Sequence, residues 1–146
     1  MQTIHQTGLR LGARALAGML CLSLLCQSCA TTMAFSVSSV VPAAEGSVKI
    51  KKDKNSNYGI NLHVDRLASP MRLDPAKNLY VVWMNTRTDG VKNIGELKTS
   101  HSLMSKELKS SLQTVTAFEP TGFFITAENN KDVQNPEGAT VLQTRY

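Results

Sequence analysis

Apolar and polar residues alternate with a period of two in the middle of the chain. Val48 and Ile50 alternate with lysines over 47–53, and a similar alternation runs over 58–66. Between these segments lies the polar stretch 54–57, which has the composition of a turn. A period of two is typical of a strand with one buried face. The pattern therefore predicts a β-hairpin whose second face is in contact with solvent.

A different pattern follows the hairpin. The segment Leu79–Met84 is apolar throughout and rich in β-branched and aromatic residues, as expected for a central strand buried on both faces. The dipeptide Asp89-Gly90 then gives a strong hairpin-turn signal. We therefore expect 91–99 to return as the partner strand.

The segment 103–113 has two readings. Leu108 and Leu112 are spaced as on a helix, and Ser105 could cap it. Residues 108–112 also alternate, however, and their serines disfavour a helix interior. A strand is the preferred interpretation.

Two further apolar segments, 122–128 and 139–144, are separated by the polar loop 129–138. The chain thus has six to eight short strands and no convincing long helix. This arrangement predicts an all-β fold, an antiparallel β-sandwich of about seven strands that is immunoglobulin-like.

The first residues have the features of an export signal. Residues 1–14 contain Arg10 and Arg14 without an acidic side chain, and 15–26 are uncharged and mostly apolar. Those 12 residues would span about 18 Å as a helix, which is short of the ~30 Å hydrocarbon core. We therefore expect 1–28 to be a signal peptide. It places the protein in the bacterial cell envelope, in the periplasm or anchored at the outer membrane.

All three cysteines, Cys21, Cys26 and Cys29, lie in or next to this signal. Their position excludes a thiolate nucleophile, a cysteine-ligated metal and an intramolecular disulfide from the rest of the chain. Cys29 follows the small residue Ser28 in a sequence that resembles a bacterial lipobox. We therefore expect lipidation of Cys29, with ordinary cleavage after Ala30 or Ala34 as the alternative.

Beyond the signal, composition predicts a linker followed by one domain. Residues 29–46 are mostly small and low in charge, and they include Pro42 and Gly46, as in a tether between a membrane anchor and a domain. Residues 47–146 then form the predicted β-sandwich domain, large enough to bury a single core.

Charge does not point to nucleic acid. The net charge is +5 for the whole chain. Without Arg10 and Arg14 there remain fourteen Lys and Arg against eleven Asp and Glu, a net of +3. A nucleic-acid-binding protein would need a basic face or stripe. The four lysines at 49, 51, 52 and 54 are interpreted as edge-strand charges that discourage aggregation, with weak attraction to an anionic membrane as the alternative.

No group of residues predicts catalysis or metal binding. His63 and His101 have no second ligand at metal-binding spacing on their own elements, and the chain has no Gly-x-Ser-x-Gly motif. The oxygen-rich stretch 128–135 has Lys131 in its middle and lacks EF-hand spacing, which indicates a solvated loop. We expect no catalytic residue, metal, cofactor or small-molecule substrate.

Three aromatic residues are predicted to anchor the core. They are Tyr80, Trp83 and Phe124, which lie in the most apolar predicted strands. Trp83 is the only tryptophan and is interpreted by analogy with the buried tryptophan of immunoglobulin strand C.

Three short segments carry a family resemblance. They are Tyr80-Val81-Val82-Trp83, Ile94-Gly95-Glu96-Leu97, and Phe124-Ile125-Thr126-Ala127-Glu128 with Pro136 after it. This set resembles the extracytoplasmic C-terminal domain of the anti-sigma-K factor family. The resemblance covers roughly Leu79–Leu142 and implies a β-sandwich outside the cytoplasmic membrane. The sigma-binding and transmembrane segments of that family have no counterpart in the sequence, so sigma-factor sequestration is not carried over.

These observations predict an exported envelope lipoprotein that acts as a non-enzymatic binding or structural module. The alternative is an extracytoplasmic sensor or regulatory partner related to anti-sigma-factor signalling. The expected partners are the membrane, through the lipid anchor, and another envelope protein.

Overall fold

The computed structural model describes residues 30–100 and 108–145, and these form an antiparallel β-sandwich. The five-stranded sheet has the order β1 (Ala30–Ala34), β2 (Glu45–Lys52), β3 (Tyr58–Asp65), β7 (Lys109–Thr116), β6 (Lys98–Ser100). The four-stranded sheet has the order β5 (Val91–Glu96), β4 (Leu79–Thr86), β8 (Pro120–Glu128), β9 (Thr140–Gln143). The predicted all-β sandwich is confirmed.

The strand order also has the immunoglobulin pattern. Strands β2-β3-β7-β6 lie opposite β5-β4-β8-β9, which is the ABED and C′CFG arrangement with β1 as an additional edge strand. The described residues contain nine strands rather than about seven. One extra strand is β1, and the other arises because the predicted strand 91–99 is divided into β5 and β6.

The division occurs where the chain leaves one sheet for the other. Gly95 has a φ of +128°, a conformation that side chains disfavour, and it lies at a bulge opposite Val82 and Trp83. Leu97 follows between the two strands, is buried, and donates its backbone N–H to the Tyr80 carbonyl over 2.9 Å. The bulge and this buried contact turn the chain toward the second sheet.

Both predicted hairpins form. In the β2–β3 turn, the Asp53 carboxylate accepts the backbone N–H groups of Asn55 and Asn57 at 2.8 and 2.9 Å. The hydrogen bond from the Asn57 backbone is the main reason that the pKa of Asp53 lies below its ordinary value. In the β4–β5 turn, Gly90 has a φ of +70° and accepts the Thr86 backbone N–H at 3.0 Å.

The segment 103–113, interpreted as a strand, is described only from residue 108 onward. Strand β7 starts at Lys109 and pairs with β3 along its whole length, with Leu112 opposite Leu62. Residues 101–107, which include His101, lie outside the described residues.

The core between the sheets is apolar and contains inward-facing residues of both. Its buried members include Val48, Ile50, Ile60, Leu62, Val64, Tyr80, Val82, Met84, Phe123 and Ile125. Met33, Ile94 and Leu112 pack against it while partly exposed. Within residues 30–100 and 108–145, no helix is long and apolar enough to cross a membrane.

The predicted linker over 29–46 is wrong for its described part. Ala30–Ala34 form β1, which pairs antiparallel with β2. Phe35, Val41 and Ala44 are buried in the core. This pairing also makes β2 an inner strand, so its lysines do not protect a sheet edge as predicted. The true edge strand, β1, carries no charge.

The N-terminal segment continues from the first sheet to the second. Beyond β1, the Ser36 backbone N–H donates to the Gln143 carbonyl at 2.8 Å, and Arg145 donates to the Ala34 carbonyl at 3.1 Å. The Ser38 hydroxyl, itself buried, donates to the Val141 carbonyl at 2.6 Å. Residues 30–38 therefore close one side of the sandwich.

Candidate functional site

The three predicted aromatic anchors lie on opposite faces of the four-stranded sheet. Tyr80 points into the core between the sheets, where it is 2% exposed and donates its hydroxyl to the Ala68 carbonyl at 2.9 Å. Burial raises the pKa of Tyr80 to about 12. Its hydroxyl therefore remains a neutral donor at physiological pH.

Trp83 is completely buried, yet it lies on the outer face of this sheet. Tyr80, Val82 and Met84 belong to the core between the sheets, whereas the equally buried Val81 and Trp83 do not. Successive side chains of a strand point to opposite faces, which explains the division. Trp83 is thus buried, as predicted, but it packs outside the core between the sheets.

Phe124 shares this outer face and is only partly buried. It pairs in register with Trp83, and the two rings stack with centroids 6.1 Å apart and an interplanar angle of 13°. Phe124 is therefore not an anchor of the inter-sheet core either. We call the surface formed by Val81, Trp83, Phe124, Thr126 and Glu128 the covered face.

The loop 129–138 crosses the covered face. It leaves β8 and reaches β5, where the Asn93 side-chain amide donates to the carbonyls of Lys131 and Val133, each at 2.9 Å. Asn93 lies opposite Trp83 in the β4–β5 register. Because β4 lies between β8 and β5, the loop passes over the strand that carries Trp83.

A hydrogen-bond chain attaches the other end of the loop. Glu128 is 1% exposed, and its Oε1 accepts the backbone N–H groups of Glu137 and Gly138 at 3.1 and 3.0 Å. The same oxygen accepts the Thr126 hydroxyl at 2.7 Å, and Thr126 Oγ1 accepts the Trp83 indole N–H at 2.8 Å. A buried carboxylate is costly unless such donors surround it.

Gly138 completes this attachment by its lack of a side chain. A Cβ at this position would lie 1.7 Å from the Ala127 carbonyl oxygen. The loop backbone at position 138 therefore lies closer to β8 than it could with any residue other than glycine at this position.

Sequence reasoning missed the role of Glu128, which was grouped with the solvated loop. One signal was present: Phe124, Thr126 and Glu128 are spaced by two residues in an apolar strand, so they share a face. Two polar side chains on the same face as an aromatic ring indicate that something polar covers that face.

Residues in the oxygen-rich part of the loop form hydrogen bonds with one another. Asp132 accepts the Lys131 ammonium at 3.3 Å, and its backbone N–H donates to the Asn130 side chain at 3.1 Å. In the part of the chain that the structure describes, no group of three His, Cys, Asp or Glu residues could hold a metal ion.

His63 lies on the outer face of the five-stranded sheet. Its Nε2 is 3.0 Å from Asp65 Oδ1, and the two side chains are 45% and 35% exposed. Ser47 and Ser111 flank His63 in the register of the sheet. A hydrogen bond from a serine hydroxyl to an imidazole is what activates a serine nucleophile. Among the described residues, no such hydrogen bond joins His63 to Ser47 or Ser111.

An open groove of about 930 Å³ runs beside β5. Its lining combines apolar residues, such as Ile94 and Leu112, with both signs of charge. The charged lining residues are Lys92, Glu96, Lys98, Lys131 and Asp132. The groove therefore has the character of a protein surface rather than of an enclosed, mostly apolar small-molecule pocket.

Cys29 lies outside the described residues, immediately before β1. No protein-family model matches the chain, and no curated protein or solved structure is significantly similar to it. The three segments that resemble the anti-sigma-K factor family lie on or at the ends of the neighbouring strands β5, β4 and β8.

Proposed function

We propose that the protein is an exported bacterial envelope lipoprotein whose β-sandwich acts as a non-enzymatic binding or structural module. The observation that carries the proposal is that the first described residues are already paired in the sheet. Strand β1 begins at Ala30, where Ala30 pairs with Lys51, and Cys29 is the residue directly before it. A lipid on Cys29 would therefore join the membrane to the folded domain without a tether.

The three possible cleavage positions have different consequences for the fold. Cleavage before Cys29 leaves every described residue in place. Cleavage after Ala34 removes all five residues of β1, including Met33, which packs against the core. Cleavage after Ala30 removes only the first residue of β1. Cleavage before Cys29 is thus the most compatible with the intact sandwich.

Binding is assigned to the groove beside β5. Its open shape and mixed charge favour a polypeptide partner, since small-molecule sites are more enclosed and more apolar. The outer edge of β5 offers backbone groups to an added strand, a common mode of peptide recognition.

The lipid anchor is tested by intact-mass analysis of the protein from bacterial membranes, with Cys29→Ala as the variant. Cys21→Ala is the matched control, because it removes a cysteine from the same signal region without changing the lipobox-like residues before Cys29. We expect a mature chain that begins at an acylated Cys29 in the wild type and the control, and no acylated chain for Cys29→Ala. An unmodified mature chain that begins at Thr31 or Phe35 would contradict the proposal.

A regulatory role related to anti-sigma-factor signalling is the second candidate. It is favoured by the placement of the three resembling segments on adjacent strands of one sheet. Cross-linking from Lys98, in the groove, tests it in intact cells. Capture of a membrane signalling protein would support this role, and capture of only structural envelope proteins would contradict it.

A further inference from the structure

Three turns meet at the end of the sandwich where β1 begins. Lys52, at the end of β2, lies with its ammonium 5.2 Å from the ring centroid of Tyr58. Arg87, in the β4–β5 turn, pairs with Glu119 of the β7–β8 turn at 2.7 Å. Lys52 and Arg87 both contribute to holding the pKa of Glu119 below its ordinary value, with the Arg87 hydrogen bond as the main cause. The turns 53–57, 87–90 and 117–119 therefore lie together, and we call them, with the adjoining strand ends, the basic end.

The basic end carries several lysines. Lys51, Lys52 and Lys54 are all exposed. Of the described residues, none forms an ion pair with Lys51 or Lys54.

The carboxylates at this end are engaged locally. Asp53 binds the backbone of its own turn, Asp89 accepts the Thr88 hydroxyl at 2.6 Å, and Glu119 pairs with Arg87. These bonds leave the negative charges in place, so the five cations of this end, Lys51, Lys52, Lys54, Arg87 and Lys92, exceed its three carboxylates by two.

Large apolar side chains are exposed at the same end. Val115 is 69% exposed and lies in the row that contains Gly59 and Lys51. Phe118 is 39% exposed, with the Lys92 ammonium 5.0 Å from its ring centroid. Exposed apolar residues among lysines are the combination that peripheral membrane surfaces use.

The opposite end differs in charge. There Arg66 pairs with Glu45 at 2.6 Å. This cation is thus neutralised by the acid next to it.

We propose that the basic end is a membrane-docking surface for anionic phospholipid headgroups, so that the sandwich stands on the bilayer on this end. The inference rests on the proposed lipidation of Cys29. Consecutive Cα atoms are about 3.8 Å apart, so a lipid on Cys29 brings Ala30 and its partner Lys51 to the headgroups. A single lipid signal gives weaker attachment than a lipid combined with a basic patch.

The test uses single cysteines at matched positions of the lipidated full chain. Asn55→Cys lies in the basic end and Ala76→Cys lies just before β4 at the opposite end, and both positions are exposed. No native cysteine follows Cys29. Each variant is labelled with a fluorophore and reconstituted into phosphatidylcholine vesicles that carry a lipid-linked quencher, with or without phosphatidylglycerol.

We expect strong quenching of the label at 55, little at 76, and an increase at 55 only when phosphatidylglycerol is present. High salt should remove that increase, because the Debye length falls to about 3 Å at 1 M. Equal quenching at both positions, or no response to phosphatidylglycerol, would overturn the docking surface.

A charge variant separates the lysines from the anchor. One triple variant combines Lys51→Gln, Lys52→Gln and Lys54→Gln. In this variant the ratio of docked to undocked molecules should fall by about fivefold per lysine. The matched control replaces Arg66, Arg72 and Lys77 with glutamine, and it should leave the ratio unchanged. Equal losses in both triple variants would contradict the assignment.

Mass analysis of the same preparation distinguishes the two proposals. An acylated Cys29 with no preference for the basic end refutes the docking surface and leaves the lipoprotein intact. If Cys29 is absent or unmodified, the lipoprotein proposal fails. Sedimentation of this unlipidated chain with vesicles then tests the docking surface. Sedimentation with phosphatidylglycerol vesicles that the three glutamines abolish would support the docking surface, and no sedimentation would refute it.

Discussion

The outer faces of the two sheets have the same kind of backbone, but a loop covers one face and solvent surrounds the other. On the four-stranded sheet, the loop 129–138 crosses the covered face, and Trp83, Thr126 and Glu128 are buried. On the five-stranded sheet, the corresponding surface is in solvent. We call this the open face, and it includes Lys49, Lys51, Asn61, His63 and Gln113.

The difference shows that a polar loop can bury an aromatic residue when polar anchors hold it in place. Between 129 and 138 the only large apolar residue is Val133. The loop is attached through Glu128 and Asn93, which bind its backbone at two separate points. Burial of Trp83 thus depends on hydrogen bonds that the open face does not have.

The largest expected effect is that of removing the buried ring. Trp83→Ala deletes a completely buried side chain and its hydrogen bond to Thr126, so we expect a loss of about 3–5 kcal/mol in the free energy of unfolding. Lys49→Ala on the open face should change it by less than about 0.5 kcal/mol. Urea unfolding followed by circular dichroism measures both, since Trp83 is the only tryptophan. Similar values for the two variants would remove the distinction between the faces.

The second prediction concerns the carboxylate that attaches the loop. Glu128→Ala leaves two backbone N–H groups and the Thr126 hydroxyl without their acceptor, and we expect a loss of about 3 kcal/mol. Asp65→Ala, which removes a half-exposed carboxylate from the open face, should cost about 0–1 kcal/mol. Trp83 emission should shift to the red only in Glu128→Ala. An unshifted spectrum there would show that the loop stays in place without Glu128.

A pair of glycines compares backbone approach on the two faces. In Gly138→Ala, the added Cβ would lie 1.7 Å from the Ala127 carbonyl oxygen, so the loop must move, at a cost of about 1–3 kcal/mol. In Gly59→Ala, the nearest atom is the Lys51 carbonyl oxygen at 3.6 Å, and the change should stay within about 0.5 kcal/mol. Thermal unfolding of both variants checks this, and a lower melting temperature for Gly59→Ala than for Gly138→Ala would reverse the expectation.

The smallest effect is expected at the far attachment of the loop. Asn93→Ala removes the amide that donates to Lys131 and Val133, for a loss of about 1 kcal/mol. Faster amide hydrogen exchange should be confined to the loop and β5. Asn61→Ala, on the open face, is the matched control and should leave exchange unchanged. Exchange that rises throughout the sandwich would mean that Asn93 supports the core rather than the loop.

The sequence predicted those strands whose two faces differ. In β2 and β3 one face is in solvent, so Val48 and Leu62 alternate with polar neighbours and the hairpin is visible. Strand β4 was correctly predicted as buried on both faces. Its continuous apolar run, however, does not show which face meets the other sheet, so the side on which Trp83 is buried could not be predicted.

The features that sequence reasoning missed depend on distant partners. Ala30–Ala34 contain little hydrophobic pattern, and their strand is defined by pairing with β2. Phe35 bridges to Thr144, which follows β9, and is buried in the core. Glu128 attaches the loop because it accepts backbone N–H groups of residues nine and ten positions further along the chain. Local composition holds no information about such contacts.

The junction between the first and the last strands has a consequence for assembly. Ser38 bonds to Val141, which is 103 residues away in the sequence. A polypeptide that emerges with its N-terminus first cannot make this bond until β9 has also emerged. Ser38 is therefore among the last residues to be fixed, and the sandwich stays unclosed until β9 is available.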